Sequence, residues 1–207
     1  MADSKFKNQW KTLLVSSVSL ILFLMVVFFK ESFSTVDANV NSWSASIQSA
    51  PLNLAAIIIS YGFDTTSLLA VSFLIAAYLL YKHHKKDVLL LAVGMIGDAF
   101  LITAIKSLAH SARPLNGIIS EQGFSFPSGH VVSAVVLFGL LAYFAWEHRK
   151  SKKMKIFSSL IFLMIAFAVG FDRIYLNVHW LSDVLGGYLL GIFWLTFSIF
   201  LFQVFKK

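Results

Sequence analysis

The chain has 207 residues, 58% of them hydrophobic and 13% charged, with 21 Phe and a mean hydropathy of +0.78. Soluble domains average about 45–50% apolar and about 25% charged residues, so the composition excludes an ordinary soluble domain and points to an integral membrane protein. The absence of cysteine rules out disulfides and Cys-based metal or redox sites. The formal charge of +7 sits in short basic clusters between apolar runs, which fits a membrane face and not a nucleic-acid partner.

The first apolar run follows "MADSKFKNQWK". It is long for a signal h-region of about 7–15 residues, and Lys30, Glu31, Ser32 and Phe33 follow it where a small-residue cleavage site would stand. It is expected to be a transmembrane helix near Thr12–Phe29. A span needs about 20 apolar residues, and on that rule helix 2 is predicted near Thr66–Tyr81 and helix 3 near Val88–Ala109. Helices 4, 5 and 6 are predicted near Ser128–Trp146, Ile156–Phe171 and Asp183–Phe205. "PLNLAAIIISYGF" (Pro51–Phe63) is apolar but too short to span. Two readings are open for it: an interfacial or re-entrant segment above helix 2, or an N-terminal extension of that helix. Gly187 and Gly191 give G-x-x-x-G spacing in helix 6, and Ala166 with Gly170 a weaker version in helix 5, both read as packing within one bundle. No polar, low-complexity linker divides the chain, so residues 1–207 are expected to form a single membrane-embedded domain, all-α, with six transmembrane helices.

Orientation follows from the Lys and Arg bias. Lys5, Lys7 and Lys11 precede helix 1, and Lys82, Lys85 and Lys86 separate helices 2 and 3. Arg149, Lys150, Lys152, Lys153 and Lys155 separate helices 4 and 5, and Lys206 and Lys207 close the chain. These thirteen of the 17 basic residues share one side, so both termini are predicted cytoplasmic. The other side keeps Lys30, Lys106, Arg113 and Arg173.

Three polar segments share that outer side. In "KSLAHSARP", Arg113 follows Lys106 by seven residues, about two helical turns, and shares its face if the helix persists; Pro114 marks the end. In "SFPSGHVVSA", Ser128 is the expected N-cap, with Gly129 and His130 opening helix 4. A helix N-terminus carries unpaired N–H groups and partial positive charge, which suits a phosphate oxygen. In "DRIYLNVHWLSD", a helical stretch from His179 would make His179 and Asp183 i,i+4 neighbours. The carboxylate would then orient the imidazole and leave its other nitrogen nucleophilic. Three cations, a helix N-terminus, two histidines and a carboxylate are the inventory for phosphoryl transfer.

The chain at this point resembles the type 2 phosphatidic acid phosphatase family, which shares its active site with vanadium haloperoxidases. The family signature is K-x6-R-P, P-S-G-H and S-R-x5-H-x3-D. This chain has Lys106-x6-Arg113-Pro114, Pro127-Ser128-Gly129-His130 and Arg173-x5-His179-x3-Asp183, all within 106–183. The resemblance implies that His179 becomes phosphorylated, that His130 is the general acid, and that Asp183 orients His179. It further implies that Lys106, Arg113, Ser128, Gly129 and Arg173 hold the phosphate, and that the reaction needs no cofactor and no metal. One departure stands out: Asp172 occupies the position where the family usually has Ser. Its carboxylate is expected to turn toward a neighbouring cation or to be protonated when substrate binds.

The function so implied is an integral membrane lipid phosphatase acting at the extracytoplasmic face. Its substrate would be phosphatidylglycerol phosphate, phosphatidic acid or undecaprenyl diphosphate, and the lipid phosphate in the bilayer would be its partner. A phosphatase for soluble esters and a small transporter are the alternatives. Asp98, inside helix 3, is read as a buried structural partner or a support for the site. His110 is read as an exposed interfacial residue, and His83, His84 and His148 as solvated. No cluster shows metal-ligand spacing. Glu121 and Gln122 could contact a headgroup, and Tyr175 and Trp180 are expected to be interfacial anchors.

Overall fold

The computed structural model describes the backbone of residues 2–205 and the side chains of residues 9–205. The side chains of Lys5 and Lys7, and all of Lys206 and Lys207, lie outside the described residues. Among those described, eight α-helices and a short 3-10 turn (Lys30–Phe33) form the molecule, with no strand. The helices are α1 (Ala2–Phe28), α2 (Ser34–Ser46), α3 (Ala50–Gly62), α4 (Thr65–Tyr81), α5 (Lys85–Ala109), α6 (Gly129–His148), α7 (Lys152–Tyr175) and α8 (Leu181–Phe205).

Five helices (α1, α5, α6, α7 and α8) are long and apolar enough to cross a bilayer. The second predicted span, near Thr66–Tyr81, is α4, and it makes up the sixth span together with the helix before it. α4 has 17 residues, about 26 Å at 1.5 Å per residue, short of the roughly 30 Å hydrocarbon core. It qualifies only together with α3, from which it is bent by 52°. Pro51 sits in the first turn of α3, where its missing N–H costs nothing. The bend falls at Asp64, whose side chain accepts from the Thr66 N–H at 3.2 Å and starts α4 afresh. The segment Pro51–Phe63 is therefore a helix of its own that joins α4 at an angle.

α6 is the enclosed centre, with Val131, Val132, Ala134, Val136, Leu137 and Leu140 fully buried among α5, α7 and α8. The outer helices turn Leu14, Ile21, Phe73, Leu74, Phe100, Leu163 and Met164 outward, as a lipid-facing surface requires. Gly187 and Gly191 seat α8 on α6. A Cβ at Gly187 would lie 3.0 Å from the Ser128 carbonyl oxygen, and one at Gly191 2.8 Å from Val135 Cβ. The small-residue spacing thus serves packing inside the chain. From α8, the Tyr188 hydroxyl donates to the Ala166 carbonyl of α7 at 3.1 Å and fills the space over Gly170.

α2 has no counterpart in the sequence prediction. It lies across the end of the bundle, where Ser44 donates to the Ile174 and Tyr175 carbonyls at 2.9 and 3.0 Å. Asp37 accepts from the Ser182 N–H and hydroxyl at 2.9 and 2.7 Å. Tyr175, expected at the interface, is only 4% exposed and binds Asn53 Oδ1 at 2.8 Å. Asp98 is buried as expected, yet neither carboxyl oxygen has a hydrogen-bond partner.

Candidate active site

α5 and α6 run in opposite directions between the two ends of the bundle. Lys106 ends the one and Gly129 begins the other, and α8 begins beside them: the Ser128 N–H donates to the Asp183 carbonyl at 3.1 Å. All eight residues expected from sequence gather at this end, though two arrive by another route and one lacks its expected bond. α5 stops at Ala109, and His110 closes it in the left-handed region (φ 46°), so Arg113 reaches the site from a loop. His179 lies two residues before α8 and is not helical. Ser128 holds the N-cap position but makes no capping bond; its hydroxyl is buried without a partner. That leaves the first turn of α6 uncapped, with Gly129 adding no side chain in front of its N–H groups.

The guanidinium groups define the histidine tautomers. Arg113 Nη1 lies 3.2 Å from His179 Nε2 and 2.9 Å from the Val178 carbonyl. Arg173 Nη1 lies 3.1 Å from His130 Nε2. A guanidinium only donates, so both Nε2 atoms accept and carry a lone pair. His179 Nδ1 then bears the proton and faces Asp183 Oδ2 at 3.5 Å, an ion-pair distance longer than a good hydrogen bond. Burial pushes the His179 imidazole down to about 4, against an upward pull from Asp183, with Arg113 and Lys106 adding to the fall. Burial also lowers Arg113, although Glu121 and Asp183 pull it upward.

Two hydrogen bonds fix the Asp183 carboxylate beside His179. The Trp180 N–H donates to Oδ2 at 3.0 Å, the third-residue side chain of a helix reaching back to its cap. Lys30 Nζ donates to Oδ1 at 2.7 Å, contacts the Ser111 hydroxyl and lies 4.4 Å over the Phe126 ring. The sequence places Lys30 on the outer side but outside the three motif segments. Its position just after α1 gave no sign of a contact 153 residues away.

Glu121 links the two arginines. Oε1 lies 3.1 Å from Arg173 Nη1 and Oε2 3.5 Å from Arg113 Nη2. Arg173 is wholly buried, and its Nε and Nη2 both donate to Asp172 Oδ2, the former at 3.0 Å. The departure from the family pattern therefore resolves as an ion pair: Asp172 turns toward the adjacent cation. Lys106 Nζ donates to the Phe124 carbonyl at 2.6 Å, and Gln122 offers its carbonyl to Arg113. Trp180 Nε1 holds the Ala112 carbonyl at 2.8 Å. His110 is exposed beside Phe124.

Two cavities flank the cluster. One of about 520 Å³ is lined by Val27, Phe28, Lys30, Ser111, Phe126 and Trp180, among others. The other, about 350 Å³, is lined by Arg113, Glu121, Ile118 and Val178, among others. The arrangement pairs one neutral imidazole with an orienting carboxylate and a second imidazole with a buried cation. Four cations and an uncapped helix start surround them, a setting able to bind and transfer a phosphoryl group.

The family model of the PAP2 superfamily matches residues 87–207, which contain every residue of this cluster except Lys30. The chain belongs to the PAP2 superfamily. Phosphatidylglycerophosphatase B of Bacillus subtilis (strain 168) is 31% identical over 183 residues, covering 84% of this chain and 89% of that protein. Dolichyldiphosphatase of Saccharomyces cerevisiae is 26% identical over 151 residues, 69% of this chain and 61% of the yeast protein. Among solved structures, the transmembrane PAP2 type phosphatidylglycerolphosphate phosphatase from Bacillus subtilis superposes with a TM-score of 0.87 at 26% identity. That match covers 93% of this chain and 98% of the other. As a PAP2 member, this chain is a multi-pass, all-helical membrane protein.

Proposed function

We propose that this chain, a membrane lipid phosphatase of the PAP2 superfamily, hydrolyses a lipid phosphate at the extracytoplasmic face through a phosphohistidine. The observation that carries the reading is the tautomer of His179: Nε2 accepts from Arg113 while Nδ1 faces Asp183. A phosphomonoester carries roughly −1.5 to −2 charges near neutral pH. On binding it takes Arg113 and Arg173 from Glu121, with Lys106, the Ser128 hydroxyl and the Gly129 end of α6 completing the seat. The His179 Nε2 lone pair attacks phosphorus and the bond from phosphorus to the lipid oxygen breaks; His130 Nε2, released from Arg173 as the phosphate draws that cation away, takes up the proton that the monoanionic headgroup brings and gives it to the leaving oxygen. His130 then takes a proton from water as the water oxygen attacks the phosphohistidine. Inorganic phosphate leaves and His179 is regenerated. Each preorganised donor supplies about 3 kcal/mol to the transition state.

The substrate reading favours phosphatidylglycerol phosphate, because the relative matched over most of both chains is named for that activity. Phosphatidic acid and a polyprenyl diphosphate such as undecaprenyl diphosphate are the competing lipids. The outer-face reading is supported by the charge division: Lys82, Lys85, Lys86, Arg149 and Lys150 cluster at the end opposite Lys106 and Arg113.

The test is phosphate release by purified protein across these lipids and a soluble ester, with chelator present and vanadate as competing analogue. His179→Ala is expected to cut turnover at least about 1,000-fold with the helical spectrum unchanged. Near-normal turnover in that variant would overturn the reading, and a soluble ester beating every lipid in mixed micelles would overturn its lipid half.

A further inference from the structure

At the end of the bundle opposite the phosphate site, three metal-ligating side chains meet that the phosphatase reading does not use. His84 precedes α5, Asp87 lies in its first turn, and His148 is the last residue of α6. His148 Nε2 lies 2.6 Å and His84 Nδ1 3.7 Å from the same atom, Asp87 Oδ2. The three ligand atoms all fall within 4.8 Å of one another. The imidazole rings are 4.3 Å apart, tilted by 47°. His83, in the left-handed region at φ 60°, makes the turn that brings His84 back over the helix start.

We propose that His84, Asp87 and His148 form a binding site for a divalent transition ion of the zinc class. Tetrahedral zinc with bonds of about 2.0–2.2 Å sets its ligand atoms about 3.3 Å apart. The two observed spacings bracket that value, so His148 must recede and His84 advance by well under 1 Å. Both rings are about 40% exposed and free to do so, while the carboxylate is held at 9% exposure. Two imidazoles and one carboxylate match the donors zinc prefers and leave a position for water. Lys85, Lys86, Arg149 and Lys150 neighbour the cluster in sequence, and their charge opposes every divalent cation alike. The two imidazole donors select against Ca²⁺ and Mg²⁺, which depend on several oxygen ligands. Bound metal would clamp the α4–α5 turn to the end of α6. The same hydrogen-bonded trio without metal is the competing outcome.

The experiment is titration of purified full-length protein, carrying a tag without histidine, with zinc chloride, read by calorimetry and by thermal unfolding. One zinc per chain and a rise in Tm are expected. His148→Ala and Asp87→Asn should each weaken binding more than about 100-fold, since even outer partners of metal ligands are worth about 10–100-fold. His110→Ala should bind as the wild type does, and phosphatase turnover should survive His148→Ala. Zinc binding that persists in both site variants, or no Tm response to zinc in the wild type, overturns the proposal. So does an equal loss of Tm in His148→Ala with and without zinc, which leaves only the hydrogen-bonded trio. Because turnover is measured separately, failure here leaves the phosphatase reading standing, and failure of the phosphatase reading leaves this one standing.

Discussion

The Lys30–Asp183 pair is the residue-scale feature with the clearest consequence. Asp183 is fully buried, and a buried carboxylate stays ionised only when paired. Lys30→Met should leave the carboxylate without its counter-ion and cut kcat by about 10²-fold or more with a smaller change in KM, measured as steady-state phosphate release; Lys30→Arg should recover part of the rate. His179 carries the pH prediction. Burial holds the folded-state value at about 4, below that of a free imidazole, so between about 6.5 and 4 the unfolded chain binds the extra proton. The stability this contributes is complete above about 6.5 and is lost as pH falls toward 4. Nitrogen NMR of histidine-labelled protein, compared with His179→Gln, should show the ring neutral at pH 5. The motif residues were legible in the sequence because phosphoryl transfer demands rare, charged groups in an otherwise apolar chain. Lys30 was not, because nothing in a linear sequence pairs the end of one helix with the start of another far along the chain.

At the scale of elements, the long spans were legible from apolar length alone, and α5 ends at Ala109 as predicted. α2 was not: "STVDANVNSWSAS" lacks an apolar stripe, and its helix is held by bonds to other segments, Asp37 to Ser182 and Ser44 to α7. Burial raises the Asp37 carboxyl above its usual range, against the two Ser182 bonds and Lys30, which pull it down. Asp37→Ala should therefore free the start of α8 and lower Tm, with phosphate release reduced by a smaller factor than in Lys30→Met. The Gly187 contact between α8 and α6 predicts a loss of about 1–3 kcal/mol for Gly187→Val, read as a lower unfolding temperature in detergent. Asp98 points the other way. With neither oxygen partnered, a small apolar residue removes a desolvation cost with little overpacking, so Asp98→Val should raise Tm.

The whole molecule has one chemically equipped end and one basic end, and the sequence showed this division before any geometry did. The absence of cysteine makes its orientation testable with single introduced thiols. Leu115→Cys, at a fully exposed position beside Arg113, should react with a membrane-impermeant maleimide in intact cells, and Lys150→Cys only after lysis. The reverse pattern would put the site on the cytoplasmic side. One backbone bond shapes how such an enzyme can diversify. Because the Ser128 amide is tied directly to the Asp183 carbonyl, the segments that carry His130 and His179, the proposed acid and nucleophile, are joined to each other. Arg113, Glu121 and Lys106's partner Phe124 belong instead to the irregular segment ahead of it. New headgroups can then be accommodated by redrawing that segment alone, leaving the reactive pair in register while selectivity drifts.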